Sequence, residues 1–572
     1  MLLSYLAYRT ACQKKHQDRQ AQIDALPTEY HAPLTPFDSH ILGRPVSELV
    51  AQVQTGRLSP QHILTAYGKK ALKAHAELNC LTEVLISDAQ GWAESCSRSG
   101  PLAGVPVSLK DMVNVRGYDS CLGYAAWVGK PAAYDSAIVR LLRDAGAVPF
   151  VKTQIPITLL SYESASDALG TAENPHKKGY SPGGSSGGEG ALLAYGGSRV
   201  GIGSDVAGSV RVPSHYSGVY TIKCSTTRFV RGGTATSNAG QEGVLAVYSP
   251  MTRTLEDLEY FWKAIMSMEP WKYDHTVINL PWRQVQLPEK KVKFGVMWTD
   301  GEQTTTFSCI DEFTTTWGTG VVTPSPACQR ALQDVVSSIR DSGYQVVSIN
   351  PPSPYEGFKI ASSLIADACD VACKKVMPWE NSDPGMVQAM RLYHLPRWAQ
   401  RLYAWYIRYI RRDAVYAGLI DGWHTKSAKE IFALVAQREA YREKWFDFWK
   451  ETGVDLIVTC PNAMPAVPHK GMKHAFTNCL YSFLFNLLDY SAGVMPVTKV
   501  DKELDALDPK FKPRNAIEAG AYKLYDAEKM EGLPVGVQIV GQRLQEEKVM
   551  EGMKLIQKLL IGDGKEYELL HT

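Results

Sequence analysis

Along the first hundred residues, apolar positions recur at helical spacing. Ile63, Leu64, Tyr67, Ala71 and Leu72 fall on one face of a segment that Ser59 and Pro60 open as N-cap and first-turn proline. Ser47 is placed to cap a shorter helix, SELVAQVQ, and both segments are expected to pack on the outside of a core. The pattern then changes to short continuous apolar runs. PVSL (106–109) ends at Lys110, and AVPFVKT (147–153) follows a helix, AIVRLLRD, that Asp135-Ser136 would cap and Gly146 would close. Further buried-strand runs are YTIK, VKFGVMW (292–298), YQVVSIN (344–350), DLIVTCP (455–461) and LPVGVQIVG (533–541). Helical patterns cover residues 255–268 and 327–342 and the closing QEEKVMEGMKLIQKLL. Strands and helices alternate over the whole length without a linker, which predicts an α/β fold: residues 1–44 as a helical extension and 45–572 as one domain.

Two segments depart from this pattern. Residues 391–412, RLYHLPRWAQRLYAWYIRYIRR, interleave six Arg with six Tyr or Trp. Such a mixture suits base stacking or a membrane surface. The helical spacing of Leu402, Trp405 and Tyr409 instead predicts a helix packed on the core or lining a channel. Residues 302–319, EQTTTFSCIDEFTTTWGT, are Thr-rich and aperiodic. Excising them joins WTDG to GVVTPSPACQRAL as an ordinary strand-to-helix connection, so they are expected to be a surface insertion, or a retained intron, that adds nothing to the fold.

Composition narrows the class. With 45% hydrophobic and 21% charged residues the chain is an ordinary globular protein, and a net charge of +2 supplies no field for general polyanion binding. The eleven cysteines are scattered, as thiols in a reducing compartment are. Only Cys369 and Cys373 lie close together, at a helical spacing that suits a core, and no metal site is expected. The apolar start MLLSYLAY is interrupted by Arg9, too early for a membrane span, so a cytoplasmic protein with no firm membrane association is expected.

Candidate chemistry concentrates in residues 181–214, SPGGSSGGEGALLAYGGSRVGIGSDVAGSVRVPS, half of which are Gly or Ser. This density implies positive φ and close approach to backbone amides. The apolar patches ALLAY and VGIG exclude a flexible linker. No Lys follows the glycines as a P-loop requires, and Gly201, Gly203 and Gly208 lack dinucleotide-fingerprint spacing. Gly184-Ser-Ser186-Gly-Gly188 matches G-x-S-x-G by letter, but no strand precedes it. Ser185 and Ser209 occupy two glycine-rich turns 24 residues apart, with Lys110 75 residues before the first. A serine nucleophile needs a base, and the nearest histidines, His176 and His215, stand outside both turns. A lysine after a buried strand either reaches water or stays inside, where desolvation lowers its pKa and makes it a base. Ser-Lys arrangements are a known variant of triad logic. The amides of Val206, Ala207, Gly208 and Ser209 are placed to form an oxyanion hole, with Asp205 and Arg211 holding the loop by hydrogen bonds.

These stretches resemble the amidase signature family: GVPVSLKD around Lys110, SPGGSSGGEGA around Ser185 and GIGSDVAGSVRVPS around Ser209. The resemblance continues through SPMTRTLEDL, DLIVTCPNAMP, NLLDYSAGVMPVT and LPVGVQIVG, from about residue 45 onward. EPWKYDHTVINLPWRQ (269–284) points to the fungal acetamidase-like branch. The resemblance implies a large twisted mixed β-sheet with helices on both faces. It also implies Ser209 as nucleophile, Ser185 as bridging serine, Lys110 as base, a cis Gly184–Ser185 peptide, and no cofactor. The implied partner is a small-molecule amide such as acetamide, with a homodimer as a compatible assembly and no nucleic acid. Where the family has Thr, Gly, Pro and Gly, this chain has Ser204, Ala207, Cys224 and Ser249. Two alternatives stay open: a biosynthetic amidase acting on a larger amide or ester, and a non-catalytic scaffold with the same fold.

Overall fold

The buried apolar runs pair into one sheet. A computed structural model describes residues 2–301, 303–305, 315–317 and 320–571. Its first six sheet strands are β1 (Leu81–Val84), β2 (Pro106–Lys110), β3 (Val148–Thr153), β4 (Val200–Asp205), β5 (Tyr220–Lys223) and β6 (Val247–Thr252). The other five are β7 (Lys293–Val296), β8 (Gln345–Ser348), β9 (Leu456–Thr459), β10 (Ala492–Lys499) and β11 (Pro534–Val540). They run in the order β1-β3-β2-β4-β6-β5-β10-β11-β9-β7-β8. The sheet is mixed: β2 is parallel to both β3 and β4, β7 to both β8 and β9, and the remaining neighbours are antiparallel. The central strands β2, β4 and β11 are buried at every position, as a sheet covered on both faces requires.

The helices used below are α1 (Leu2–Asp24), α2 (Pro60–Leu78), α3 (Gly187–Ala194), α4 (Arg211–Ser217) and α5 (Leu255–Ser267). They continue with α6 (Pro326–Asp341), α7 (Pro354–Cys373), α8 (Pro384–Tyr393), α9 (Arg397–Trp405), α10 (Ala414–Gly422), α11 (Leu480–Leu487) and α12 (Glu546–Gly562). α2 begins as its sequence predicts, with the Ser59 hydroxyl accepting from the Gln61 amide at 3.1 Å. Its face of Ile63, Leu64, Tyr67 and Ala71 is buried, with Leu72 at the margin. The expected cap at Ser47 is corrected. That helix starts at Val46, whose amide is satisfied by Asp257 of α5 at 2.7 Å, so a distant carboxylate does the work assigned to a local hydroxyl. Ser136 is the N-cap residue of Ala137–Asp144, but its hydroxyl makes no capping bond.

Residues 2–24 are anchored rather than trailing. Lys15 of α1 is buried and pairs with Glu83 of β1, and Arg19 donates to the Leu81 carbonyl at 2.8 Å. Around the aperiodic stretch, the amides of Val321 and Val322 both donate to the Asp300 carboxylate at 2.9 Å. The chain therefore leaves and returns at one place, and within the segment the backbone of 303–305 pairs antiparallel with 315–317. The rest of the expectation for 302–319 lies outside the described residues.

The Arg/Tyr/Trp stretch is corrected more sharply. Pro396 divides it between α8 and α9, which ends in a π-helical turn over 406–410. Leu402, Trp405 and Tyr409 are solvent-exposed; neither the core nor a channel covers them. No helix among the described residues is long and apolar enough to cross a membrane.

Candidate active site

The two glycine-rich turns lie at the C-terminal end of β4 and at the start of α3. Their glycines are required by close packing. A Cβ on Gly188 would stand 2.2 Å from the Gln154 amide nitrogen, and one on Gly208 would stand 2.3 Å from Ser482 Oγ. Gly208 also takes φ of 118°, so the positive-φ position of the turn falls there, and Ala207 keeps an ordinary backbone. The methyl at 207 therefore imposes none of the strain that a positive φ would carry. The Gly184–Ser185 peptide is cis. The Ser186 amide donates to the Ser209 carbonyl at 3.1 Å and ties one turn to the other.

Lys110 closes β2 and is fully buried. Its Nζ donates to Ser185 Oγ at 2.7 Å and to Ser204 Oγ at 2.8 Å. Burial pulls its pKa down to about 7, against the opposing pull of Asp205 and Glu189. That opposition is weak because neither carboxyl presents a free charge. Asp205 is paired with the buried Arg211 at 2.9 Å, and burial pushes Glu189 up to about 8, towards its neutral form. Ser108 and Thr153 donate to the Glu189 carboxyl at 2.6 and 2.9 Å. A lysine poised near neutrality beside a serine hydroxyl can take up a proton and give it back.

Asp205 organises the second turn. Its carboxylate accepts from the Gly208 and Val210 amides, from two nitrogens of Arg211 and from Asn486 Nδ2. Burial alone would raise its pKa; the Arg211 guanidinium and these donors outweigh it and hold the group ionised. Arg211 is completed by Gln538 Oε1 at 2.8 Å and by Asn486 Oδ1. The expectation that all four amides from Val206 to Ser209 face a substrate is narrowed, because the Gly208 amide is spent on Asp205 at 2.8 Å. Those of Val206, Ala207 and Ser209 have no acceptor among the described residues. On the carbonyl side, Tyr162 Oη and Ser482 Oγ both donate to Ala207 O, at 2.6 and 2.9 Å.

Val206, Ala207 and Ser209 form part of the wall of an apolar cavity of about 80 Å³ that opens to solvent. Phe358, Ile365, Met386, Phe476 and Phe483 make much of the rest. A second cavity of about 310 Å³ shares Leu419, Trp423, Phe476 and Thr477 with it. The sequence reading missed these walls. It also missed Tyr162, Ser482, Glu189 and Asn486, and took Ser204 only as a departure from a motif.

Two other departures compensate each other. Cys224, standing where proline is usual, has an amide N–H that proline lacks, and Ser249, standing where glycine is usual, accepts it at 3.1 Å through Oγ. His215 is structural: its two ring nitrogens meet the Gly536 amide and the Met464 carbonyl. No cluster of metal-ligating side chains occurs among the described residues.

Comparison with known proteins agrees with this geometry. The Amidase family model matches residues 62–550. Acetamidase of Aspergillus oryzae is 32% identical over 539 residues, covering 92% of this chain and 91% of that protein. Fatty-acid amide hydrolase 1 of Sus scrofa is 31% identical over 525 residues, covering 91% and 86%. A solved structure of a fatty acid amide hydrolase superposes with a TM-score of 0.81 at 27% identity, covering 96% of this chain and 95% of that one. With its eleven-stranded mixed sheet and its paired glycine-rich turns, the chain belongs to the amidase signature family, hydrolases that act on amide C–N bonds.

Proposed function

We propose that the protein hydrolyses a carboxamide through a Ser209 acyl-enzyme, with Ser185 and Lys110 moving the protons. The observation that carries this reading is the fully buried Lys110 with its Nζ 2.7 Å from Ser185 Oγ. Neutral Lys110 takes the Ser185 proton as Ser185 takes that of Ser209, and Ser209 Oγ attacks the amide carbon. The oxyanion rests on the amides of Val206, Ala207 and Ser209. On collapse, Ser185 delivers a proton to the leaving nitrogen and is resupplied by Lys110, so ammonia or an amine departs. Water then attacks the ester, its proton returns through Ser185 to Lys110, and the acid leaves as Ser209 regains its own proton. No step calls for a metal or an organic cofactor.

The apolar cavity beside Ser209 favours a larger apolar acyl group over the acetamide expected from the sequence. A chain burying roughly 100 Å² of apolar surface there gains about 2.5 kcal/mol, more than the single methyl of acetamide can gain. Fluorophosphonate labelling tests the nucleophile: wild type becomes labelled and Ser209→Ala does not. A folded wild type that resists labelling points to the scaffold alternative, and labelling that survives Ser209→Ala displaces the nucleophile to another residue. A series of primary amides from acetamide to long-chain and aryl acyl groups tests the substrate, with kcat/KM expected to rise with apolar size. A maximum at acetamide would refute the larger-acyl reading.

A further inference from the structure

Three side chains outside the proposed proton path converge on one peptide unit, the one between Ala207 and Gly208. Its carbonyl accepts from Tyr162 Oη at 2.6 Å and from Ser482 Oγ at 2.9 Å, and its N–H donates to the Asp205 carboxylate at 2.8 Å. We infer that Tyr162 and Ser482 are positioning residues for the oxyanion site. They hold this peptide plane so that the amides on either side of it, those of Ala207 and Ser209, stay aimed at the reacting carbonyl; this rests on the hydrolytic reading, in which those amides carry the oxyanion.

This plane needs holding more than any other in the turn. It turns by rotation about ψ of residue 207 and φ of residue 208, and Gly208, at φ of 118°, has no Cβ to resist that rotation. A turned plane tilts the amides beside it, and donors that must be reoriented during the reaction stabilise developing charge less than donors already in place. Two hydroxyl donors fill both acceptor sites of the Ala207 oxygen, their own oxygens lying 3.3 Å apart. Turning the plane over would break these two hydrogen bonds together with the one to Asp205. The glycine also makes room for the group that restrains it: a Cβ at 208 would stand 2.3 Å from Ser482 Oγ.

Both positioning groups are themselves built in. The Tyr162 carbonyl accepts from Ser181 Oγ at 2.6 Å, at the head of the first glycine-rich stretch, while its hydroxyl reaches the second turn. Its neighbour Ser161 donates at 2.6 Å to Asp383, the N-cap residue of α8. Burial pushes the Tyr162 hydroxyl well above the usual phenol range, which keeps it a donor. Ser482 and Asn486 stand four residues apart on α11 and so share a face, and both bond to the second turn, Asn486 Nδ2 to Asp205 at 2.9 Å. Tyr162 also lines the apolar cavity. Its ring and its hydroxyl therefore have separable jobs, one against the acyl group and one on the peptide.

The test compares Tyr162→Phe, Ser482→Ala and the double variant with wild type, by amide turnover and by the rate of fluorophosphonate labelling. Tyr162→Phe leaves the ring on the cavity wall, so KM should stay within about twofold of wild type while kcat falls about tenfold. Ser482→Ala should do the same, and the double variant should lose about a hundredfold. The labelling rate should fall in step with kcat, because attack on phosphorus also places negative charge on an oxygen facing these amides. A role confined to stability would move the urea midpoint and leave kcat in place. If Ser482→Ala does not fold, Tyr162→Phe decides alone. Unchanged kcat and labelling in Tyr162→Phe, or a raised KM at constant kcat, overturns the positioning role and leaves hydrolysis standing. A folded wild type that takes no label overturns the hydrolytic reading and the positioning role with it.

Discussion

Lys110→Met should abolish turnover and make the protein more stable, by an amount that depends on pH. A lysine held near pKa 7 against an ordinary value of 10.5 binds fewer protons in the folded than in the unfolded chain between those limits. Unfolding then takes up a proton, so this lysine opposes folding in full below its folded pKa, and the opposition fades as pH rises through 10.5. The penalty is on the order of 5 kcal/mol at pH 6.5 and less than about 1 kcal/mol at pH 10. Methionine fills the same channel without a charge. It forfeits the bonds to Ser185 and Ser204, about 1 kcal/mol each. The variant should therefore be stabilised by about 2–3 kcal/mol at pH 6.5 and destabilised by about 1 kcal/mol at pH 10. Urea unfolding of wild type and variant at both pH values reads this directly, because the difference between proteins at each pH cancels every other titrating group. A double difference near zero would mean that Lys110 is not depressed in the folded state, and the neutral-lysine base would fall with it.

The same lysine predicts an acid limb in kcat/KM with an apparent pKa near 7. Glu189→Gln should leave that limb standing, and a variant that removes it would transfer the limb to Glu189. Ser249→Gly strands the buried Cys224 amide and should cost about 1–3 kcal/mol; adding Cys224→Pro removes the stranded donor and should recover much of the loss. Additive losses in that double-mutant cycle would show that the two departures are unrelated. His469 lies between Glu163 and Glu173, both at 3.0 Å. Burial lowers its pKa, but these two carboxylates outweigh that and leave it raised. Its stabilisation is therefore complete below about 6.5 and is lost as pH rises through the higher folded value. His469→Gln should destabilise the protein at pH 6 and hardly at all at pH 9 by urea midpoint; a loss that does not vary with pH would contradict the ion pairs.

The candidate site was legible because it is local. A turn that must bend through positive φ at Gly208, or admit a backbone amide against Gly188, excludes every larger side chain, so the turns show in the sequence as glycines. Lys110 was legible for a related reason: a charged residue closing a buried apolar run has few environments open to it. The strand that carries Lys110 was legible as a continuous apolar run, which a sheet covered on both faces demands; β1, β4, β6 and β10 were not read as strands. Capping was read less well. Ser47 has the right chemistry for an N-cap, yet the carboxylate of Asp257, 211 residues beyond Val46, reached the helix end instead.

By itself, then, the sequence determined seven of the eleven sheet strands, as continuous apolar runs, and the two glycine-rich turns, through steric limits within a few residues; the Ser-Ser-Lys set is what its resemblance to a family implies. The tertiary structure alone decided what surrounds them. The cavity draws Leu159, Phe358, Met386, Leu419, Met472 and Phe483 from separate segments, and no local pattern records that they meet. Ser204, Tyr162 and Ser482 acquire their roles only because the fold brings them to Lys110 Nζ and to the Ala207 carbonyl. The exposed face along α9 makes the same point. Helical spacing identifies which side chains share a face, but a period has no term for what lies opposite it, and for Leu402, Trp405 and Tyr409 the fold left that side to solvent.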